Sequence, residues 1–323
     1  MSRPTPVTLV TGFLGAGKTT LLNHLLSEET GLRFAIIENE FGDLGLDGSL
    51  IRAPVEALFE LNDGCVCCTV RDDLLAVFEQ LADRPADFDH VIIETTGLAD
   101  PAPVMRLFER PLMRAAFRLD GVVTVVDSCH IERSLVEVDA CAEQIATADL
   151  LILNKSDRQP AHALAATEER LKQLNPLAVI LRAEHGQVPV EAVLSLGGRS
   201  AEASVPSHHS HAHHEHQHDD GILSVAVAAD GDVDVQALDL WLGRLTRSRE
   251  LSLLRMKGIL AVPGHPRRFV FHGVRDVVDV RPERPWGQEP RRSRAVFIGR
   301  GLDPEVLQAG FEACSLQPPV GPQ

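Results

Sequence analysis

Up to about residue 200 the chain alternates short apolar runs with amphipathic stretches. The runs are VTLVT (7–11), RFAIIEN (33–39), HVIIET (90–95), GVVTVVD (121–127), LLILN (150–154) and AVILRA (178–183). Near-continuous Val, Ile and Leu mark strands covered on both faces, as in a parallel sheet between layers of helices. Between them TTLLNHLLSEE and HALAATEERLKQL repeat their apolar residues at helical spacing. VEALFEL reads as a further strand. TVRDDLLAVFEQLAD, after it, puts Val70, Leu74, Phe78 and Leu81 on one helical face, with Thr69 and Asp72 spaced as a capping pair. The alternation predicts a doubly wound α/β domain with a mostly parallel sheet over residues 1–203.

The pattern then breaks. Residues 204–221, SVPSHHSHAHHEHQHDDG, hold seven of the fourteen histidines and almost nothing apolar, so they are read as a flexible linker. A second unit follows over 222–318. GILSVAVAAD is a strand pattern, and VDVQALDLWLGRL is a helix with Val235, Leu238, Trp241 and Leu245 on one face. Three strand-like runs lie near 258–262, 268–274 and 295–299. The last helix opens at DPEV, with Asp303 as N-cap and Pro304 at the first helical position. The order predicts a smaller α+β domain with a mostly antiparallel sheet.

Composition narrows the function. A chain of 323 residues has room for two cores of ordinary size. No apolar run approaches a membrane span, and MSRPTPVTLVTGF lacks the form of a secretory signal, so the expected location is the cytoplasm. The formal net charge is −15, with 31 Lys and Arg against 46 Asp and Glu, which argues against nucleic acid as a partner.

The first strand runs into GFLGAGKTT, Gly12 to Thr20, which fits G-x-x-x-x-G-K-S/T. Glycines let the backbone fold around phosphate with its N–H groups inward, and the following helix adds the positive end of its dipole. Gly12, Gly15, Ala16, Gly17, Lys18, Thr19 and Thr20 are the expected phosphate contacts. Lys18 would reach the β- and γ-phosphates, and Thr19 would ligate Mg²⁺. VIIETTGLADP places Glu94 at the end of a buried strand, where such enzymes hold Mg²⁺, and Gly97 three residues on, where its N–H could sense the γ-phosphate. LLILNKSD supplies Asn154, Lys155 and Asp157 after another strand. A carboxylate there accepts from the guanine N1–H and 2-amino group, which adenine cannot match, so GTP is the expected nucleotide.

GCVCC puts Cys65, Cys67 and Cys68 just before a helix, where the dipole favours thiolate. A disulfide, a redox pair, buried small residues and a soft-metal site are the alternatives. The disulfide conflicts with the compartment and the spacing, and metal binding fits clustered thiolates best. Glu38, Glu40 and Asp43 in IIENEFGDLG are candidates to complete a site for Zn²⁺, with Co²⁺ or Ni²⁺ as alternatives. His208, His209, His211, His213, His214, His216 and His218 form an auxiliary metal tract, or else a pH-responsive linker. His24 is read as a surface or packing residue, and Cys129, Cys141 and Cys314 as buried and inert.

TGFLGAGKTTLLNHLL, IIENEFGDLGLD, GCVCCTV, IIETTGLADPAPV, LNKSD and VFIGRGLD together resemble the CobW-type family of P-loop GTPases, the GTP-dependent metallochaperones. The resemblance implies a GTPase domain, a smaller C-terminal CobW domain, slow GTP hydrolysis, and a transition metal, zinc foremost, passed to a client metalloprotein. It implies Cys65, Cys67 and Cys68 as the family's Cys-x-Cys-Cys motif. A metal buffer, a cobalt chaperone for cobalamin synthesis and a purely regulatory GTPase are the rival readings. No arginine finger is assignable, which leaves room for a partner or a homodimer to complete the site.

Overall fold

The structure is a computed structural model and describes residues 4–39, 57–61, 69–95, 101–108, 110–196, 221–248 and 250–316. The described residues cluster into two compact units, one within 1–170 and 178–199, the other within 171–177 and 200–323.

The elements run β1 (Thr5–Thr11), α1 (Lys18–Ser27), β2 (Phe34–Asn39), β3 (Ala57–Leu61), α2 (Thr69–Ala82), β4 (His90–Glu94), α3 (Ala102–Leu107), α4 (Pro111–Ala116), β5 (Phe117–Asp127), α5 (Ile131–Glu137), α6 (Asp139–Thr147) and β6 (Leu150–Asn154). A 3-10 turn (Ser156–Arg158), α7 (Ala161–Leu174), β7 (Val179–Arg182) and α8 (Val190–Leu194) follow. Among the described residues the strands form one parallel sheet of order β3-β2-β4-β1-β5-β6-β7. The chain builds outward on one side of β1, returns through β4 and then builds on the other side. That reversal opens a crevice at the strand C-termini.

The apolar runs are strands because both faces are covered. Ala35, Ile36 and Ile37 are consecutive and all fully buried, as are Val91, Ile92 and Ile93. On one face Leu21, Leu22 and Leu25 of α1 pack with Val10, Ile36, Ile92 and Val123. Leu74, Phe78 and Leu81 of α2 are buried as their spacing predicts. Phe78 meets Phe117 and Phe108 edge-on, with centroids 4.9 and 5.6 Å away.

His90, at the start of β4, is buried, and its Nε2 lies 2.8 Å from Thr8 Oγ1. Burial lowers its pKa from 6.5 to about 4; Asp120 pulls it up, and Arg118 adds to the fall. The unfolded chain therefore binds a proton that the folded one refuses. The neutral ring's full contribution is present above pH 6.5 and is lost as pH falls toward 4, amounting to about 2 kcal/mol by pH 5. Urea unfolding at pH 7 and pH 5 should show this loss, and His90→Gln should show less of it. Parallel pH profiles for the two proteins would exclude His90 as the cause.

The second unit contains β8 (Ile222–Asp230), α9 (Val235–Thr246), β9 (Ser252–Ala261), β10 (Arg267–Val274), β11 (Val277–Pro285), β12 (Arg292–Arg300) and α10 (Pro304–Glu312). Its sheet is antiparallel, in the order β11-β10-β9-β12-β8. Leu238, Leu242 and Leu245 of α9, with Leu307 and Phe311 of α10 and Cys314, pack on Val225, Met256, Phe271 and Phe297 of one sheet face. Asp234 and Asp303 cap the two helices, each accepting from two backbone N–H groups, and Pro304 occupies the first turn. Gly310 admits the Trp241 ring, because a Cβ there would stand 2.3 Å from Trp241 Nε1.

Two expectations change. The buried stripe of α9 runs through Leu242, while Val235 is 45% exposed and Trp241 only half-buried. An unforeseen strand, β11, pairs only with β10 at the sheet edge, where Pro282, Pro285 and alternating charges are tolerated.

Candidate nucleotide and metal site

The Gly-rich turn leaves β1 at Thr11 and enters α1 at Lys18. Gly12 has φ +140° and Gly17 φ +106°, both closed to ordinary side chains. Space forbids a side chain as well. A Cβ on Gly12 would lie 2.2 Å from the Val125 carbonyl oxygen, and one on Gly17 2.4 Å from Asn154 Nδ2. Lys18 is buried, and its Nζ donates to the Gly12 carbonyl at 3.1 Å, folding the charge over the loop that would hold phosphate. Ala16 is fully buried, Thr19 is half-buried in the first turn of α1, and Thr20 is exposed.

Asn154 ends β6 and is buried. Its Nδ2 donates to the Ala16 carbonyl at 2.9 Å, and its Oδ1 accepts from the Gly186 N–H at 2.9 Å. It therefore braces the phosphate loop against the turn after β7. Lys155 donates to the Gly15 carbonyl at 2.8 Å and to Asp127 Oδ2 at 2.7 Å. Asp157 follows in the 3-10 turn, exposed and open to a base.

The turn at 183–187 escaped the sequence reading. Ala183 accepts from the Ser156 N–H at 3.1 Å, His185 sits at φ +50°, and Glu184 and His185 are exposed beside the Asn154–Asp157 loop. Its only signal was Glu-His-Gly just after the half-buried edge strand β7. His24 is a packing residue whose Nε2 lies 2.8 Å from the Val188 carbonyl.

Glu94 ends β4 and is buried, in register with Val10 of β1, and the next residue's N–H donates to the Val10 carbonyl at 3.0 Å. A carboxylate thus stands on the strand beside the one that carries the Gly-rich turn. On the other side Glu38 of β2 is in register with Glu94, and Glu60 of β3 is in register with Glu38. Neighbouring strands lie about 4.8 Å apart and residues in register point to the same face, so the buried carboxylates Glu38 and Glu94 stand side by side at the strand ends. Oxygen donors at Thr19 and Glu94 suit the hard Mg²⁺ ion, so these residues fit it.

Among the described residues no group of three His, Cys, Asp or Glu side chains could hold a metal. Asp43, Cys65, Cys67, Cys68, Gly97 and the histidines at 208, 209, 211, 213, 214, 216 and 218 lie outside the described residues. Of the described cysteines, Cys141 and Cys314 are buried as expected. Cys129 is half-exposed at the end of β5, which corrects its reading as a buried residue. No described helix is long and apolar enough to cross a membrane.

Sheet order, Gly-rich turn, buried Lys18 and the Asn154–Asp157 loop define a P-loop GTPase. Residues 6–182 match the CobW/HypB/UreG nucleotide-binding domain, and residues 222–315 match the cobalamin synthesis protein cobW C-terminal domain; the chain belongs to this family. It is 39% identical over 340 residues to the zinc chaperone CobW of Pseudomonas aeruginosa, spanning 94% of this chain and 89% of that protein. It is 35% identical over 313 residues to the zinc chaperone YjiA of Escherichia coli, spanning 95% and 98%. The crystal structure of the Zn(II)-bound YjiA GTPase superposes with a TM-score of 0.75 at 30% identity, covering 98% of this chain and all of that one.

Proposed function

We propose that this GTPase is a metallochaperone that binds zinc at Cys65, Cys67 and Cys68, with Glu38 and Asp43 as oxygen ligands, and releases it to a client protein according to its nucleotide. The observation that carries the proposal is the register of Glu38 with Glu94, which puts a candidate metal ligand one strand from a candidate Mg²⁺ ligand. Relatives named zinc chaperones support zinc as the cargo.

Bound Mg²⁺ would neutralise phosphate charge and polarise the γ-phosphoryl group. The chain's own residues do the rest. The Gly12–Thr20 backbone presents N–H groups to the phosphates, and Lys18 turns from the Gly12 carbonyl to the β- and γ-oxygens. Thr19 and Glu94 would hold the metal. Asp157 accepts from the guanine edge. Hydrolysis of GTP to GDP and phosphate would remove the γ-phosphate that the Gly97 N–H is expected to sense, and Glu38 would feel that change through the neighbouring strand that ends at Glu94.

The test is a titration with Co²⁺, read by its thiolate charge-transfer absorption, with GDP or a non-hydrolysable GTP analogue bound. A coupled site should show affinities differing about 5- to 150-fold between the two states. Equal affinities would sink the coupling. Repeating the titration after deletion of residues 207–218 separates a chaperone from a buffer, since a buffer would lose most of its capacity and a chaperone would keep its tight thiolate site.

A further inference from the structure

We propose that Asp127 is a positioning residue for guanine recognition, acting through Lys155; this rests on the reading of Lys155 to Asp157 as the base-binding loop. Asp127 is the last residue of β5, in register with Asn154. Its Oδ1 accepts from the Cys129 N–H at 2.9 Å, and its Oδ2 accepts from Lys155 Nζ at 2.7 Å with His130 Nδ1 3.0 Å away. Burial pushes its carboxyl up, but the hydrogen bonds from Lys155, His130 and the Cys129 N–H outweigh this and hold it below the usual carboxylate range. It is therefore ionised at neutral pH.

Lys155 needs this anchor for two reasons. Its backbone is left-handed, at φ +59° and ψ +32°, a conformation that a lysine seldom adopts unless its surroundings enforce it. Here its carbonyl accepts from Ser128 Oγ at 2.9 Å, and the Asn154 carbonyl accepts from the Ser128 N–H at 3.1 Å. The residues at the end of β5 thus grip Lys155 at both its backbone and its ammonium. The lysine head also borders, with Gly15, Asp127 and His130, a cavity of about 340 Å³ between the phosphate loop and α5–α6, so it is not enclosed on that side. Because Lys155 also bonds the Gly15 carbonyl, Asp127 sets the separation between the phosphate loop and Asp157, two residues beyond Lys155. No motif assigns it this part.

The test uses the full chain and displacement of a fluorescent GDP by GDP and by IDP, which lacks the guanine 2-amino group. Asp127→Asn should weaken GDP binding about tenfold and shrink the GDP-over-IDP preference, while kcat at saturating GTP stays within about twofold. Asp127→Glu keeps the charge and should recover part of the loss; it carries the same comparison should the asparagine variant not fold. The double variant of Asp127→Asn with Lys155→Gln should bind no worse than the weaker single variant, because one residue acts through the other. Asp157→Asn is the control for the base-binding loop. If it leaves the GDP-over-IDP preference unchanged, that loop does not read guanine and the proposal falls with it. If it abolishes the preference while Asp127→Asn preserves it, or if the Asp127 and Lys155 effects add, the proposal alone is overturned.

Discussion

Lys18→Ala should lower GTP turnover by about a hundredfold or more, the scale on which a preorganised donor to a developing charge contributes in a water-poor site. The lysine is 8% exposed, and its Nζ donates to the Gly12 carbonyl, which belongs to the loop that would cradle the phosphates. Such an ammonium is poorly hydrated before the nucleotide arrives. Moving it onto phosphate therefore costs less desolvation than it would for a surface lysine, and the gain in electrostatic stabilisation is larger. The fold should survive, because the core contacts of α1 come from Leu21, Leu22 and Leu25 and not from Lys18. Steady-state GTPase assays with circular dichroism check both halves. A folded Lys18→Ala protein with the parent rate would remove Lys18 from the reaction.

The second large effect concerns the metal. Replacing Cys67 and Cys68 together by serine should weaken Zn²⁺ binding by about two orders of magnitude or more, since a hydroxyl stays protonated where a thiolate would bind the soft ion. GTP turnover in chelated buffer should stay within about twofold of the parent, because the phosphate loop, Glu94 and Asp157 are untouched. Isothermal titration with zinc and a parallel GTPase assay read the two quantities. Parent-like zinc affinity in the serine variant would move the cargo site elsewhere, and a matching fall in turnover would show the cysteines to be part of the nucleotide site.

The legible parts of this molecule were those set by local rules. Val/Ile/Leu runs that must be covered on both faces became β1, β4 and β6, and the Gly12–Thr19 spacing located the phosphate loop, because both depend on backbone requirements that any sequence must meet. The Asp303-Pro304 start of α10 was equally plain. What escaped depended on distant neighbours. α3 to α6 are six to nine residues long, about two and a half turns at most, too short for an apolar stripe to stand out. β11 was hidden by prolines and charges that only an edge position allows. Among the candidate site residues, Glu94 is read from its place behind the phosphate loop. Asp127 was passed over because its meaning comes from Lys155, 28 positions away, and from a turn it makes with its own neighbours.

The brace at Asn154 has a consequence for how free energy is spent when the nucleotide binds. Both ends of its amide are engaged within the protein, one by the phosphate loop and one by the turn after β7, and Lys155 adds a parallel tie to Gly15. That half of the crevice is assembled before any ligand enters and gains little further order from one. A rigid half cannot report whether a third phosphate is present, because a signal requires two states of different energy. The report has to come from the opposite half, at the ends of β2 and β4, where Glu38 and Glu94 stand side by side. On the proposed reading the protein keeps the part that would choose guanine stiff, and leaves the part that holds Glu38, the proposed metal ligand, as the one that can respond.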